Sequence, residues 1–117
     1  MRPVLNGLDF DPDLRTLPGE PEAFAFLARL YVGATAGVGH ESFDLTVCSP
    51  EWLRERCKQV GILDGLHHLI LNVEDYDERA LRTWLETRVT SIERDTWQEI
   101  AADLSRLGWW EFEGYRP

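Results

Sequence analysis

Two neighbouring segments of alternating apolar residues constrain the fold of this chain more than any other feature of its sequence. Apolar side chains, most of them large, occupy every second position of residues 23–32 and again of 41–48, which is the period of a β-strand. These positions are Phe24, Phe26, Ala28, Leu30 and Val32, then Phe43, Leu45 and Val47. The first segment also has Leu27 and Tyr31 on its second face, which predicts a central strand. Because a glycine-rich connector joins the segments, we expect an antiparallel pair.

The remaining segments predict an α+β fold. Further strands are expected at 4–10, with a bulge at Gly7, at 66–74 and after Gly108. Capping residues begin three helices: Ser49 with Pro50, the Asp75-Tyr76-Asp77 turn, and the capping box of Thr96 with Glu99. The helical stripes predict that three tryptophans belong to the core, namely Trp52, Trp84 and Trp97. We expect a single domain over residues 1–117, with a mainly antiparallel sheet of about four to five strands and three helices packed on one face.

Charge and composition narrow the classes of partner. The 117 residues carry a formal net charge of −9, with the acids spread along the chain. A field of this sign repels phosphate backbones, so we expect no nucleic-acid partner, and it speeds encounter with a cationic partner. The sequence has neither an apolar run long enough to cross a bilayer nor a signal-peptide pattern. We therefore expect no membrane partner and a cytoplasmic location.

The sequence motifs give little support to a catalytic or metal site. Cys48 and Cys57 fit neither a CxxC redox pair nor a zinc spacing. Cys48 precedes a helix N-terminus, a position that can lower the pKa of a thiol, so a cysteine hydrolase stays open as an alternative. His67 and His68 are adjacent in a predicted strand and would point to opposite faces, which argues against a shared metal ion. We expect no catalytic residue, no cofactor and no metal.

The C-terminal segment carries the features of a partner-binding surface. In an extended strand, Trp110 and Phe112 would share one face while glutamates occupy the other, and Trp109 and Trp110 cannot both face the core. An exposed tryptophan among carboxylates is typical of a protein-binding hot spot. Together with the acidic turn before the second helix, the predicted binding residues are Asp75, Tyr76, Asp77, Trp109, Glu111, Glu113 and Tyr115.

Four motifs of the chain occur in this order: ESFDLTVCSPEWL (41–53), HHLIL (67–71), DTWQEIA (95–101) and WEFEGY (110–115). Together they resemble the immunity protein 8 family of bacterial polymorphic-toxin systems, although Gly114 stands where an acid is expected. The resemblance implies a small, cytoplasmic, non-enzymatic protein that binds and neutralises a cognate toxin, secreted or contact-dependent. Toxins of such systems are often nucleases, so the implied partner is a basic toxin domain.

Two other classes of function stay open from the sequence. One is an acidic adaptor or scaffold domain that binds some other basic protein, and the other is a small hydrolase that uses Cys48 or the histidines. A gene directly downstream of a large toxin gene would favour immunity over the adaptor. Bound metal or a reactive thiol would favour the hydrolase. The sequence leaves open whether the chain forms a homodimer.

Overall fold

A mixed β-sheet forms one layer of the protein, and two helices pack on one of its faces. The computed structural model describes residues 1–11, 23–34, 40–72, 74 and 77–112. The elements within these ranges are β1 (Val4–Phe10), β2 (Ala25–Gly33), β3 (Glu41–Cys48), α1 (Pro50–Val60), β4 (His68–Ile70), α2 (Glu78–Thr90), α3 (Trp97–Leu104) and β5 (Trp109–Trp110). This set of elements confirms the predicted α+β class and the predicted order of strands and helices.

The sheet is antiparallel on one side of β3 and mixed on the other. The β2–β3 pair is antiparallel, as predicted, with Ala25 opposite Cys48, and β1 pairs antiparallel with β2 through a bulge next to Gly7. Strand β4 pairs parallel with the end of β3, because a helix rather than a tight turn connects the two strands. Strand β5 pairs antiparallel with the beginning of β3. Strands β4 and β5 therefore lie end to end along the same edge of β3.

The core lies between the sheet and helices α2 and α3. The largest buried side chains of the sheet are Phe26, Leu30, Val32, Phe43, Leu45 and Val47. Against them pack Leu81, Leu85 and Val89 of α2, and Ile100, Ala101 and Leu104 of α3. Full burial of each large side chain contributes roughly 1.5–3 kcal/mol, so this layer supplies most of the hydrophobic stabilisation.

Helix α1 differs from the expectation that all three helices pack on one face. Thr46 pairs with His68, and Val47 pairs with Leu69, so the two pairs lie on opposite faces of the sheet. The face of Val47 is the core face. Helix α1 lies beside the other face, where the ring of Trp52 is 6.1 Å from that of His68. A crossover helix between two parallel strands covers only one face of the sheet, and here it is the polar one.

The helical stripes predicted burial less well than they predicted helices. No residue of α1 is buried, so its apolar stripe does not reach the core. Trp84, predicted to be a core residue, is 47% exposed, whereas Trp97 packs half-buried against the core. Helix α2 buries every fourth residue from Leu81, and Trp84 lies beside that row, beyond the area that the sheet covers.

The predicted helix caps are confirmed. The Ser49 hydroxyl accepts a hydrogen bond from the Trp52 N–H at 3.3 Å and another from the Phe24 N–H at 3.1 Å. This side chain therefore begins α1 and ties it to the start of β2. Asp77 caps α2, and the Thr96–Glu99 capping box begins α3. These contacts satisfy amide groups that the first helical turn leaves without partners.

The strand predicted at 66–74 is much shorter in the structure. Of the described residues in this range, only His68–Ile70 is extended and paired. His67 has a positive φ of 65°, which interrupts the extended backbone before this strand. The prediction that His67 and His68 alternate within one strand is therefore wrong. His67 instead hydrogen-bonds the Ser105 carbonyl oxygen at the end of α3 through Nε2.

Candidate functional site

The outer edge of the sheet, formed by β4 and β5, is the most exposed apolar part of the fold near the predicted binding residues. We call it the β4–β5 edge (residues 68–70 and 109–110). The Thr46 N–H donates to the His67 carbonyl, and the Leu71 N–H donates to the Cys48 carbonyl, each at 2.9 Å. In a parallel ladder alternate residues bond the neighbouring strand, so Ile70 directs its own N–H and carbonyl away from β3. Within the part of the chain that the structure describes, no further strand pairs with β4.

A groove lies between β4 and the first turns of α2. It has a volume of about 210 Å³ and is lined by Leu69, Ile70, Leu71, Asn72, Asp77, Ala80, Leu81 and Trp84. Ile70 is 52% exposed, and Trp84 is nearly as accessible. The groove is smaller than typical small-molecule sites, which span roughly 300–1,000 Å³. Its size and lining suit one or two apolar side chains of another protein.

Asp77 lines this groove where the chain enters α2. Residues 74–78 include four acids, of which Asp75 lies outside the described residues together with Tyr76. One Asp77 carboxylate oxygen accepts the Arg79 N–H at 3.0 Å as the helix cap. Among the described residues, the carboxylate of Glu74 forms no ion pair. The groove therefore has a mainly apolar lining that includes one carboxylate, that of Asp77.

The two C-terminal tryptophans lie on opposite faces of the sheet, as the sequence predicted for consecutive strand residues. Trp110 pairs with Phe43, stacks on its ring at 6.4 Å, and donates from Nε1 to Glu41 Oε2 at 2.8 Å. Trp109 is 57% exposed, and its ring is 5.5 Å from that of His67. The prediction that at least one of the two tryptophans is exposed is confirmed, and the exposed one is Trp109.

Glu111 has a structural contact that the sequence did not suggest. Its Oε1 accepts the Ser42 N–H at 2.7 Å, and its own N–H donates to the Ser42 carbonyl at 3.1 Å. The carboxylate thus extends the β3–β5 ladder by one residue beyond the strand, although Glu111 stays exposed. Residues 111 and 112 form a turn, so the predicted alternation of Glu111 with Phe112 in a strand does not occur. Glu113 and Tyr115 lie outside the described residues.

The described residues of the predicted surface lie at two ends of the same edge. At one end, Glu111 is hydrogen-bonded to Ser42, near the beginning of β3. At the other end, Leu71 is hydrogen-bonded to Cys48, the last residue of β3, and the chain continues from there toward Asp77. Ser42 and Cys48 are six positions apart in an extended strand, which corresponds to about 20 Å. The contact of Trp109 with His67 lies between the two ends. The fold therefore arranges the predicted binding residues along an edge rather than in one patch.

The groups considered for catalysis are placed in structural roles. Cys48 is buried, and burial raises the pKa of its thiol to about 11, opposite to the shift expected at a helix N-terminus. At neutral pH the thiol therefore stays protonated and is a poor nucleophile. His68 Nδ1 lies 3.0 Å from the Leu66 carbonyl oxygen. Among the described residues, no group of three or more His, Cys, Asp or Glu side chains is arranged to hold a metal ion.

Comparison with known proteins assigns the chain to a class that acts by binding another protein. The family model described as immunity protein 8 matches residues 5–115, nearly the whole chain. The chain therefore belongs to the immunity protein 8 family and is a toxin immunity protein, a class that is generally non-enzymatic and binds a cognate toxin. Neither a curated protein nor a solved structure matches it. In the described part of the chain, no helix is long and apolar enough to span a membrane.

Proposed function

We propose that this protein neutralises the cognate toxin of a bacterial polymorphic-toxin system by binding it directly in the cytoplasm. The observation that carries the proposal is the family match over residues 5–115. The exposed apolar β4–β5 edge, with the carboxylates of Asp77 and Glu111 near its two ends, supports direct binding, because exposed apolar surface rimmed by polar residues marks interaction sites. Masking the toxin's active surface is enough for protection, so the protein needs no catalysis of its own.

The charge of the chain supports a basic partner. The net charge of −9 favours fast association with a cationic surface and disfavours association with nucleic acid. Nuclease toxins expose basic surfaces to their substrates, and an acidic protein bound there excludes the nucleic acid both sterically and electrostatically. We therefore propose a nuclease-type toxin domain, either secreted or contact-dependent, as the partner.

The proposed toxin-binding surface keeps the residues predicted from the sequence. The members that the structure describes are Asp77, Trp109 and Glu111, and those outside the described residues are Asp75, Tyr76, Glu113 and Tyr115. Trp109 would supply an aromatic anchor, since a large exposed ring buries much area on contact at little entropic cost. The carboxylates would steer association and pair with lysine or arginine side chains at the rim.

The proposed function places the toxin gene directly upstream of the gene for this chain, and the test uses the toxin domain encoded there. Co-expression in a bacterial host should restore growth that the toxin alone abolishes, and the purified proteins should form a stoichiometric complex that inhibits the toxin. Absence of both protection and complex formation would contradict the proposed function.

A charge-only change tests the surface. Glu111→Gln keeps the acceptor for the Ser42 N–H but removes the charge, so folding should be unaffected while association slows and its salt dependence weakens. Glu86→Gln removes an exposed acid elsewhere on the molecule and serves as the matched control. Equal association rates for both variants and the parent would remove Glu111 from the proposed surface.

A further inference from the structure

We propose that the groove between β4 and α2 binds an extended segment of the toxin, which adds as a strand to the outer edge of β4. An apolar side chain of that segment would be seated against Trp84. This inference rests on the proposed function, and it specifies where and in what form the toxin is held. Three features of the groove support it: the outward main-chain groups of Ile70, an apolar seat and the carboxylate of Asp77.

The main chain of β4 offers a hydrogen-bonding edge. The contacts of His67 and Leu71 with β3 leave the N–H and carbonyl of Ile70 directed outward. Edge strands are commonly protected by a bulge, a lysine or a proline. The opposite edge strand, β1, has such a bulge next to Gly7, whereas His68-Leu69-Ile70 has none of these three devices and is protected only by its length of three residues. Among the described residues no further strand pairs with β4, so its outer edge is the side of the sheet that we propose accepts an added strand.

The side chains beside this edge form an apolar seat. Leu69 and Leu71 of the sheet and Leu81 of α2 belong to the core or pack against it, so the floor of the groove is fixed. Trp84 forms the outer wall and keeps 47% of its surface exposed. In strand addition, the main chain supplies affinity while pockets select alternate side chains of the added strand. One apolar side chain of the toxin would cover Trp84 and complete the wall.

The carboxylate in the groove lining indicates the composition of the added segment. Glu74 forms no ion pair among the described residues, and Asp77 uses one of its two carboxylate oxygens for the helix cap. A lysine or arginine next to the apolar residue of the toxin segment would meet the carboxylate of Asp77, which lines the groove. The occupant is thus a short, extended toxin segment with an apolar residue flanked by basic ones.

Filling the groove tests the apolar seat. Ala80 is exposed and lines the groove, so Ala80→Trp should occupy the seat without removing a core side chain. Thr83→Trp places the same side chain on the same helix outside the groove lining and is the matched control. With the upstream toxin domain as the probe, we expect Ala80→Trp to weaken binding by about 30-fold, as for loss of a hot spot, and Thr83→Trp to bind like the parent. Equal affinity of the two variants would overturn the proposal.

Changing the main chain tests strand addition independently. Ile70→Pro removes the outward N–H while leaving the bonds of its neighbours to β3, and Ile70→Ala removes only the side chain. Circular dichroism and denaturation midpoints should show that both variants fold. Strand addition predicts that the proline variant loses much more affinity than the alanine variant. If the two bind equally, the toxin does not add to this edge and the proposal is wrong.

Two further outcomes separate this proposal from the function on which it rests. If the parent binds and neutralises the toxin while Ala80→Trp and Ile70→Pro do so equally well, the groove proposal fails and the function stands. If the parent itself does not bind the toxin, both fail. Sedimentation of the parent and of Ala80→Trp completes the test. If the parent forms a dimer and Ala80→Trp does not, the groove binds a second copy of this chain, and the proposal of a toxin segment is wrong.

Discussion

Replacing Gly108 by alanine should destabilise the protein because the chain passes too close to β3 at this residue. A Cβ atom there would lie 3.1 Å from the Asp44 carbonyl oxygen and 3.2 Å from both the Asp44 nitrogen and the Phe43 carbonyl carbon. All three contacts are with main-chain atoms of a strand paired on both sides, so relief requires β5 and β3 to separate by a few tenths of an ångström. Overpacking of this kind costs about 1–3 kcal/mol.

Gly65→Ala is the matched control, since a Cβ atom at Gly65 has no neighbour within 4 Å. Both substitutions reduce the entropy of the unfolded chain, which alone would stabilise by about 0.4–1 kcal/mol. We expect chemical denaturation to give a lower free energy of unfolding for Gly108→Ala than for the parent, and an unchanged or higher one for Gly65→Ala. A Gly108→Ala midpoint equal to that of Gly65→Ala would refute the close-approach argument. Since β5 carries Trp109, the variant should also bind the toxin more weakly.

Three further predictions concern stability and reactivity. Trp97→Ala should lower the free energy of unfolding by about 3 kcal/mol. This is the lower end of the range for removal of a large aromatic side chain, because the Trp97 ring is only half-buried. An unchanged denaturation midpoint would contradict this prediction. A thiol reagent at pH 8 should modify the exposed Cys57 quickly and the buried Cys48 only after denaturation, and peptide mapping measures both. Fast modification of Cys48 in the folded protein would refute the raised pKa of its thiol. Hydrogen bonds from Arg94 hold the pKa of Asp103 below its ordinary 3.8, so this pair stabilises above that pH and ceases to do so as pH falls through the lowered pKa. The stability difference between the parent and Asp103→Asn should therefore be present at pH 6 and shrink in acid, and a difference independent of pH would contradict the assignment.

Features that depend on neighbouring residues could be predicted from the sequence. The alternation in 23–32 and 41–48 predicted two antiparallel strands, because side-chain period and a connecting loop are local properties. The caps at Ser49, Asp77 and Thr96 were predicted for the same reason: each satisfies amides within its own first turn. The family motifs predicted the class of function, and the match over residues 5–115 confirms it.

Gly108 and Glu111 show where local reasoning stops. The sequence marked Gly108 as the end of the third helix, but that helix ends at Leu104 with Ser105 as its C-cap. The φ of Gly108 is not positive, and the structure places this glycine in close contact with β3 instead. Likewise, Glu111 looked like a free surface acid and instead accepts the N–H of Ser42, 69 residues away. Neither contact leaves a signal in the residues next to it, because the partner is brought there only by strand pairing.

The amino-acid sequence by itself determined which segments of this protein are strands and helices, since backbone preference, capping and side-chain period act over a few residues. Only the tertiary structure decided that β4 joins β3 in parallel, that α1 lies on the polar face, and that Trp84 stays exposed beside an open edge. A helical stripe shows which side of a helix is apolar, but the area that a sheet covers depends on where all the other strands lie. The candidate toxin groove forms where the apolar stripe of α2 extends beyond the edge strand β4, so the stripe alone could not predict it.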